Sequence, residues 1–337
     1  MLLALGLTAC QSAAKSPAPA MLPADAYPAI GSIERLDPRL DALIAPGTPI
    51  EKLAEGFDWS EGPVWVAARN QLLFSDVPRN TVYSWTEGGE AFVYVKPSGY
   101  TGLEARGGEP GSNGLLLDAQ GRLVLCQHGD RRIARLEPDW TFHTLARFYQ
   151  NHRFNSPNDA VYRSNGDLYF TDPPYGLEKL NDDPAKELMF SGVFRLTPDG
   201  QVVLLASQLT FPNGIAFSPN EEILYVAVSD PQRPVIMAFD VEADGSLRNG
   251  RVFFDATALR PGRKGLPDGL KVDRQGNLFA TGPGGVLVIA PDATLLGIIN
   301  TGEATANCAW GNDGSVLYIT ADMFLCRVRT LTQAAGQ

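Results

Sequence analysis

Three histidines and four cysteines are all that 337 residues contain of the side chains that most often bind transition metals. No Cys-x-x-Cys pair and no His-Glu-x-x-His run occurs, so neither kind of zinc site is expected. Cys126 and Cys326 sit inside apolar, strand-like runs, where a buried free thiol is the usual outcome. There is no Gly-x-Ser-x-Gly elbow, no Walker loop and no Gly-x-Gly-x-x-Gly, which leaves serine-hydrolase and nucleotide-dependent chemistry without a motif. Long helical periodicity is nearly absent, and the apolar run Met1 to Ala9 is far too short to span a bilayer. A basic surplus is lacking as well. With 28 Lys and Arg against 38 Asp and Glu, the net charge of −10 argues against nucleic-acid partners.

What the chain does contain is turns and short strands. Gly (34) and Pro (25) are plentiful, and 44% hydrophobic residues suffice for a globular core. One pattern recurs six times: a polar residue, a short apolar strand, a turn, and a second apolar strand beginning with Leu. The copies are Glu61-Gly-Pro-Val-Trp with Leu72-Leu-Phe, Asn113-Gly-Leu-Leu-Leu with Leu123-Val-Leu, and Asn158-Asp-Ala-Val-Tyr with Leu168-Tyr-Phe. They continue with Asn213-Gly-Ile-Ala-Phe and Leu224-Tyr-Val, Asp268-Gly-Leu-Lys-Val and Leu278-Phe-Ala, and Asn307-Cys-Ala-Trp and Leu317-Tyr-Ile. Successive starts, from Glu61 to Asn307, lie 52, 45, 55, 55 and 39 residues apart. Strand-rich repeats of this period predict an all-β, six-bladed β-propeller. The aligned polar residue is Glu, Asn, Asn, Asn, Asp, Asn, and radial repetition should bring all six side chains to the axis. A ring of carboxylate and amide oxygens without thiolate or imidazole suits a hard divalent cation such as Ca²⁺. Taken singly, each Asn or Asp before a strand is an ordinary turn residue.

The repeats assign one domain to residues 50–332, preceded by a lead-in at 23–49 and a leader and tether at 1–22. The last copy has too few residues for four strands, so a strand near residues 50–57 is expected to complete it. Two segments exceed what a blade needs. Lys96 to Ser112 is glycine-rich, and Pro173 to Ser191 carries Pro-Pro-Tyr-Gly and several charges. Both adjoin aligned positions and are expected to wall a pocket over the channel mouth. At the N-terminus, Leu7-Thr8-Ala9-Cys10 resembles the end of a bacterial lipoprotein signal, though without a basic n-region. That resemblance implies a lipid on Cys10 as the one membrane attachment and a periplasm-facing place in the cell envelope.

Glu61-Gly-Pro-Val-Trp, Asn155-Ser-Pro-Asn158-Asp, Phe211-Pro-Asn213-Gly and Pro267-Asp268-Gly-Leu, in that order, resemble the motifs of the senescence marker protein/gluconolactonase/luciferin-regenerating enzyme family. The resemblance covers about residues 50 to 330. It implies a six-bladed propeller with one divalent cation in the channel, Ca²⁺ or another ion such as Mg²⁺, Mn²⁺ or Zn²⁺. The matching ligands are Glu61, Asn213 and Asp268, with Asn158 at a position that meets metal or substrate. It also implies a metal-dependent, gluconolactonase-like lactonase acting on a small sugar or other lactone. In such an enzyme Asp268 is the catalytic residue, whether as base, as nucleophile or through orientation alone. Asn113, His128, Asn158 and Tyr175 are the candidate substrate contacts: His128 follows the second inner strand, and Tyr175 offers an aromatic wall. Several relatives place an arginine where Ser156 stands here. Asp76, Asp172 and Asp230 end corresponding strands and read as turn formers. Two alternatives stay open at this point: phosphotriester or fluorophosphate hydrolysis at the same metal, and a propeller that binds a ligand without turnover.

Overall fold

The computed structural model describes residues 27–335; Cys10 and the whole of 1–22 lie outside the described residues. Within them the chain forms six antiparallel blade sheets, four of four strands and two of five, with one small two-stranded sheet and only short 3₁₀ turns, a six-bladed β-propeller. The inner strands are Ser60–Val66, Ser112–Leu117, Ala160–Tyr162, Pro212–Phe217, Leu270–Val272 and Asn307–Gly311, in blades 1 to 6. Each touches the inner strand of the next blade, and blade 6 touches blade 1, so the ring is closed.

The repeated Leu-led triplet is explained by where it lies. It opens the second strand of each blade, which is covered on both faces by neighbouring blades and therefore reads as a continuous apolar run. In blade 1, Leu72 and Phe74 pack toward blade 6, while Leu73 packs toward blade 2. Six hydrophobic clusters result, one in each gap between adjacent blades. Cys126, Cys308 and Cys326 are free and buried within these layers.

Closure uses the segment ahead of the first repeat. Ile50–Glu55 pairs antiparallel with Phe324–Arg329 and supplies the fourth strand that blade 6 lacks. Further upstream, Ala29–Ile30 extends blade 6, and Ser32–Arg35 pairs with the outer strand of blade 5. Arg327 fixes the seam: its guanidinium is buried, bonds Glu51 from the N-terminal strand and also reaches Glu87.

The glycine after the aligned polar residue has a packing cause. At Gly62 the backbone is left-handed (φ +47°), and a Cβ would stand 2.0 Å from the Asn113 carbonyl oxygen of blade 2. At Gly214 a Cβ would stand 2.2 Å from the Asp268 carbonyl oxygen of blade 5. Inner strands thus approach backbone to backbone, with Gly214 N donating to Asp268 O at 3.1 Å and Gly114 N to Asn158 O at 2.7 Å. Hydroxyls on the second strands add stitches across the blades, Ser75 to Asn113 O at 2.9 Å and Thr171 to Asn213 O at 2.6 Å. Gly214→Ala is therefore expected to force two inner strands apart and to destabilise the protein by about 3 kcal/mol. A urea melt checks it, and an unchanged midpoint would contradict this account of the motif.

Candidate active site

The aligned residues reach the axis because the inner strands begin irregularly. The ladder slips between Glu61 and Val64, between Ser112 and Leu115, and between Pro212 and Ile215. A bulge at the head of a strand adds backbone and re-aims a side chain, here Glu61, Asn113 and Asn213 into the channel mouth. Asn158 and Asp268 lie just ahead of their strands. Their amides are held by the second strand: Asn158 N donates to Thr171 O at 2.9 Å and Asp268 N to Thr281 O at 3.4 Å.

Glu61, Asn113, Asn158, Asn213 and Asp268 line one cavity of about 500 Å³. Four of them are buried, and Asp268 is partly open to the cavity. The sixth aligned residue departs from the expected ring. Asn307 does not line the cavity: its amide Nδ2 donates to Glu61 Oε2 at 3.2 Å and its own Oδ1 accepts from Cys308 N. The small blade 6 thus contributes a support for Glu61 in place of a sixth oxygen.

The hydrogen-bond ledger of the cavity is one-sided. Asn113 Oδ1, Asn158 Oδ1, Asn213 Oδ1 and Asp268 Oδ1 are buried and have no hydrogen-bond partner among the described residues. Buried polar atoms are nearly always paired, so four orphaned oxygens on one cavity mark a missing electropositive partner. Electrostatics point the same way. Burial pushes the Glu61 carboxyl up to about 8, against the pull of the Gly62 N–H that donates to it at 2.7 Å. Burial, and then the charge of Glu61, hold Asp268 well above the usual carboxylate range. Two such carboxyls must either keep a proton or take up a cation. Among the described residues no group of three or more His, Cys, Asp or Glu has metal-holding geometry. The donors here are mixed, two carboxylates with amide oxygens, the oxygen-rich set that suits a hard cation.

Two of the strand-ending aspartates do more than form turns. Asp172 accepts the backbone N–H groups of Asn155 and Ser156, both at 2.8 Å, and so fixes the loop that delivers Asn158; burial pushes its carboxyl up to about 7. Asp76 accepts from Asp58 N and Trp59 N and does the same for the loop ahead of Glu61. Ser156 bonds Pro173 O and Gly176 N, pinning the loop that carries Tyr175. Tyr175 lines the cavity, its ring stacked on Phe211 at 5.7 Å. His128 does not line it. Fully buried behind the wall, it has Nε2 at 3.5 Å from Asn158 Nδ2 and Nδ1 at 3.3 Å from Glu109.

Sequence reading missed Trp59, Glu109, Ser229, Arg260 and Arg263, which also line the cavity. Glu109 comes from the segment Lys96 to Ser112 and Tyr175 from Pro173 to Ser191, so each long loop places one side chain on the mouth. The two loops are tied together: Arg106 bonds Gly176 O, and Gly107 N donates to Glu178 at 3.1 Å. Arg263 is neutralised by a bidentate pair with Glu34 of the lead-in strand, both contacts at 2.9 Å.

A family model described as the SMP-30/Gluconolactonase/LRE-like region matches residues 59–322. A gluconolactonase of Zymomonas mobilis is 43% identical over 315 residues, covering 90% of this chain and 87% of its own. Among solved structures, a gluconolactonase of Xanthomonas campestris aligns at 34% identity with a TM-score of 0.79, over 92% of this chain and 99% of that one. A calcium-binding protein of Agrobacterium tumefaciens, regucalcin, aligns with a TM-score of 0.65 over 82% of this chain and 92% of that one. At 17% identity that last likeness speaks for the shared fold.

Proposed function

The chain belongs to the SMP-30/gluconolactonase/LRE-like family, and from that membership we propose that it is a metal-dependent hydrolase that opens the ester bond of a small sugar lactone. The observation that carries the metal dependence is the set of orphaned oxygens on Asn113, Asn158, Asn213 and Asp268, beside the buried carboxyl of Glu61. A divalent cation held by Glu61, Asn158, Asn213 and Asp268 would supply Lewis-acid polarisation of the lactone carbonyl and stabilise the developing oxyanion. Ca²⁺ is the leading candidate for an all-oxygen set that includes neutral amides.

The protein's own residues set up the rest. Glu61 is locked by Gly62 N and the Asn307 amide, and Asn213 Nδ2 donates to Ser229 at 2.9 Å, which turns each oxygen inward. Asn113 is left to bond ring hydroxyls or the carbonyl, and Tyr175 to cover one face of the sugar ring. A cavity of about 500 Å³ is the size of site that encloses a small molecule. Gluconolactone is the first substrate to test, given the two gluconolactonase relatives. A pH-indicator assay over sugar lactones, acyl lactones and a phosphotriester would rank the substrates. Turnover of at least one sugar lactone is expected. Activity confined to the phosphotriester, or to none of the panel, would contradict the proposal.

A further inference from the structure

Hydrolysis of a lactone needs a group that removes a proton from water as it attacks, and the family-matched carboxylates are poorly placed to do so. Glu61 Oε2 already accepts from Gly62 N and from the Asn307 amide. Asp268 and Glu61 together would be held to a cation, which weakens a carboxylate as a base. One further carboxylate lines the cavity, Glu109. It belongs to neither the candidate ligand set nor the repeat.

Backbone pairing fixes where Glu109 sits. His128 N donates to Gly111 O at 3.1 Å and Gly129 N to Pro110 O at 3.2 Å, so the residues after Glu109 run alongside His128. Upstream, Asn80 Oδ1 accepts from Ser98 N, Gly99 N and Tyr100 N, and Asp130 holds Thr101. Glu109 Oε2 then lies 3.3 Å from Nδ1 of the fully buried His128, while 36% of its side chain stays exposed. The imidazole is therefore wedged between Glu109 on one side and the Asn158 amide on the other. A carboxylate 3.3 Å from a buried imidazole nitrogen that has no hydrogen-bond partner among the described residues, open to the cavity and outside the ligand set, has the attributes of a catalytic base that a small shift of the ring would orient.

We propose that Glu109 is the catalytic base of the reaction and His128 the residue that positions it, an inference that rests on the lactonase reading above. Glu109 takes a proton from water as the water oxygen bonds to the lactone carbonyl carbon. The carbon–oxygen bond of the ring then breaks, and the ring oxygen leaves as a hydroxyl, recovering that proton from Glu109. Lactone and water become one hydroxy acid, and the carboxylate is restored.

The test compares the full-length protein with its Glu109→Gln variant, both loaded with Ca²⁺ and assayed on glucono-1,5-lactone. The proposal expects kcat to fall by about 10²–10⁴-fold, the ordinary contribution of a positioned base. KM and the melting temperature should stay near wild type when Ca²⁺ is saturating in both proteins, because the amide keeps shape and the cation offsets the loss of a charge that acts on Glu61 and Asp268. Added formate should raise the rate of the variant by supplying the missing base from solution. His128→Asn should lose part of kcat and should not respond to formate, since its carboxylate is present but misaligned. A Glu109→Gln kcat within tenfold of wild type, a loss confined to KM, or a loss that formate does not relieve would overturn the proposal. A wild type that turns over no lactone would overturn the reading beneath it, and this inference with it.

Discussion

Asp268→Asn is expected to abolish lactone hydrolysis while leaving the metal-free protein more stable than wild type. The two effects have one cause. Asp268 stands beside the buried Glu61 at the channel mouth, and the charge of Glu61 raises the cost of charging Asp268. Removing one negative charge relieves that repulsion and requires no repacking, because Asn is isosteric and Asn already stands at three of the five positions on the cavity. The same substitution takes away half of the carboxylate charge that would hold a divalent ion. Activity should fall by about 10³-fold or more, as for loss of a group that organises transition-state charge. Ca²⁺, which should raise the melting temperature of wild type by preferential binding to the folded state, should raise that of the variant little or not at all. A variant that hydrolyses lactone at the wild-type rate would contradict the assignment of Asp268. So would one that unfolds outright, since Asp268 would then be part of the scaffold alone.

The second large effect is a pH dependence of stability opposite to that of most proteins. In the metal-free protein the Glu61 carboxyl is raised from 4.5 to about 8, and Asp268 is raised as well. A raised carboxyl means the folded state binds more protons than the unfolded one between those limits. Stability is then fully present below about pH 4.5 and is lost as pH climbs toward 8. The loss is on the order of a few kcal/mol, because a pK unit corresponds to about 1.4 kcal/mol. Saturating Ca²⁺ reverses the trend, since the cation binds the deprotonated carboxylates and releases their protons. Urea melts at pH 5 and pH 8, with chelator and with Ca²⁺, test this directly. The expected result is a midpoint that falls with pH in chelator and does not fall with Ca²⁺. A midpoint that rises with pH in chelator would mean that Glu61 and Asp268 are charged and satisfied without any cation.

Much of the fold is written locally in the chain. The Leu-led second strand is apolar throughout because it is covered on both faces, and the Asn-Gly or Asp-Gly ahead of it marks the place where inner strands touch. Both causes act on a few consecutive residues, so both survive as a repeat. The site is legible to the same extent: Glu61, Asn113, Asn158, Asn213 and Asp268 occupy repeat positions and meet in one cavity. Asn307 obeys the same repeat yet turns to support Glu61, and nothing in its own sequence distinguishes the two outcomes. Glu109 was not legible at all. It sits between glycines and a proline, and its placement beside His128 comes from backbone pairing with a turn of blade 2. Arg263 is similar, since it owes its neutrality to Glu34, which is 229 residues away. Contacts made by loops from different blades leave no period for a sequence reading to find.

The central claim is that this channel holds a cation and uses it to open a lactone. The most direct measurement is hydrolysis of glucono-1,5-lactone by protein stripped with chelator and then titrated with Ca²⁺. The account predicts turnover at background in the stripped protein, restored in a saturable way as Ca²⁺ is added, and absent throughout in Asp268→Asn. Full activity without metal, or a melting temperature that rises with Ca²⁺ while no lactone is hydrolysed, would contradict it.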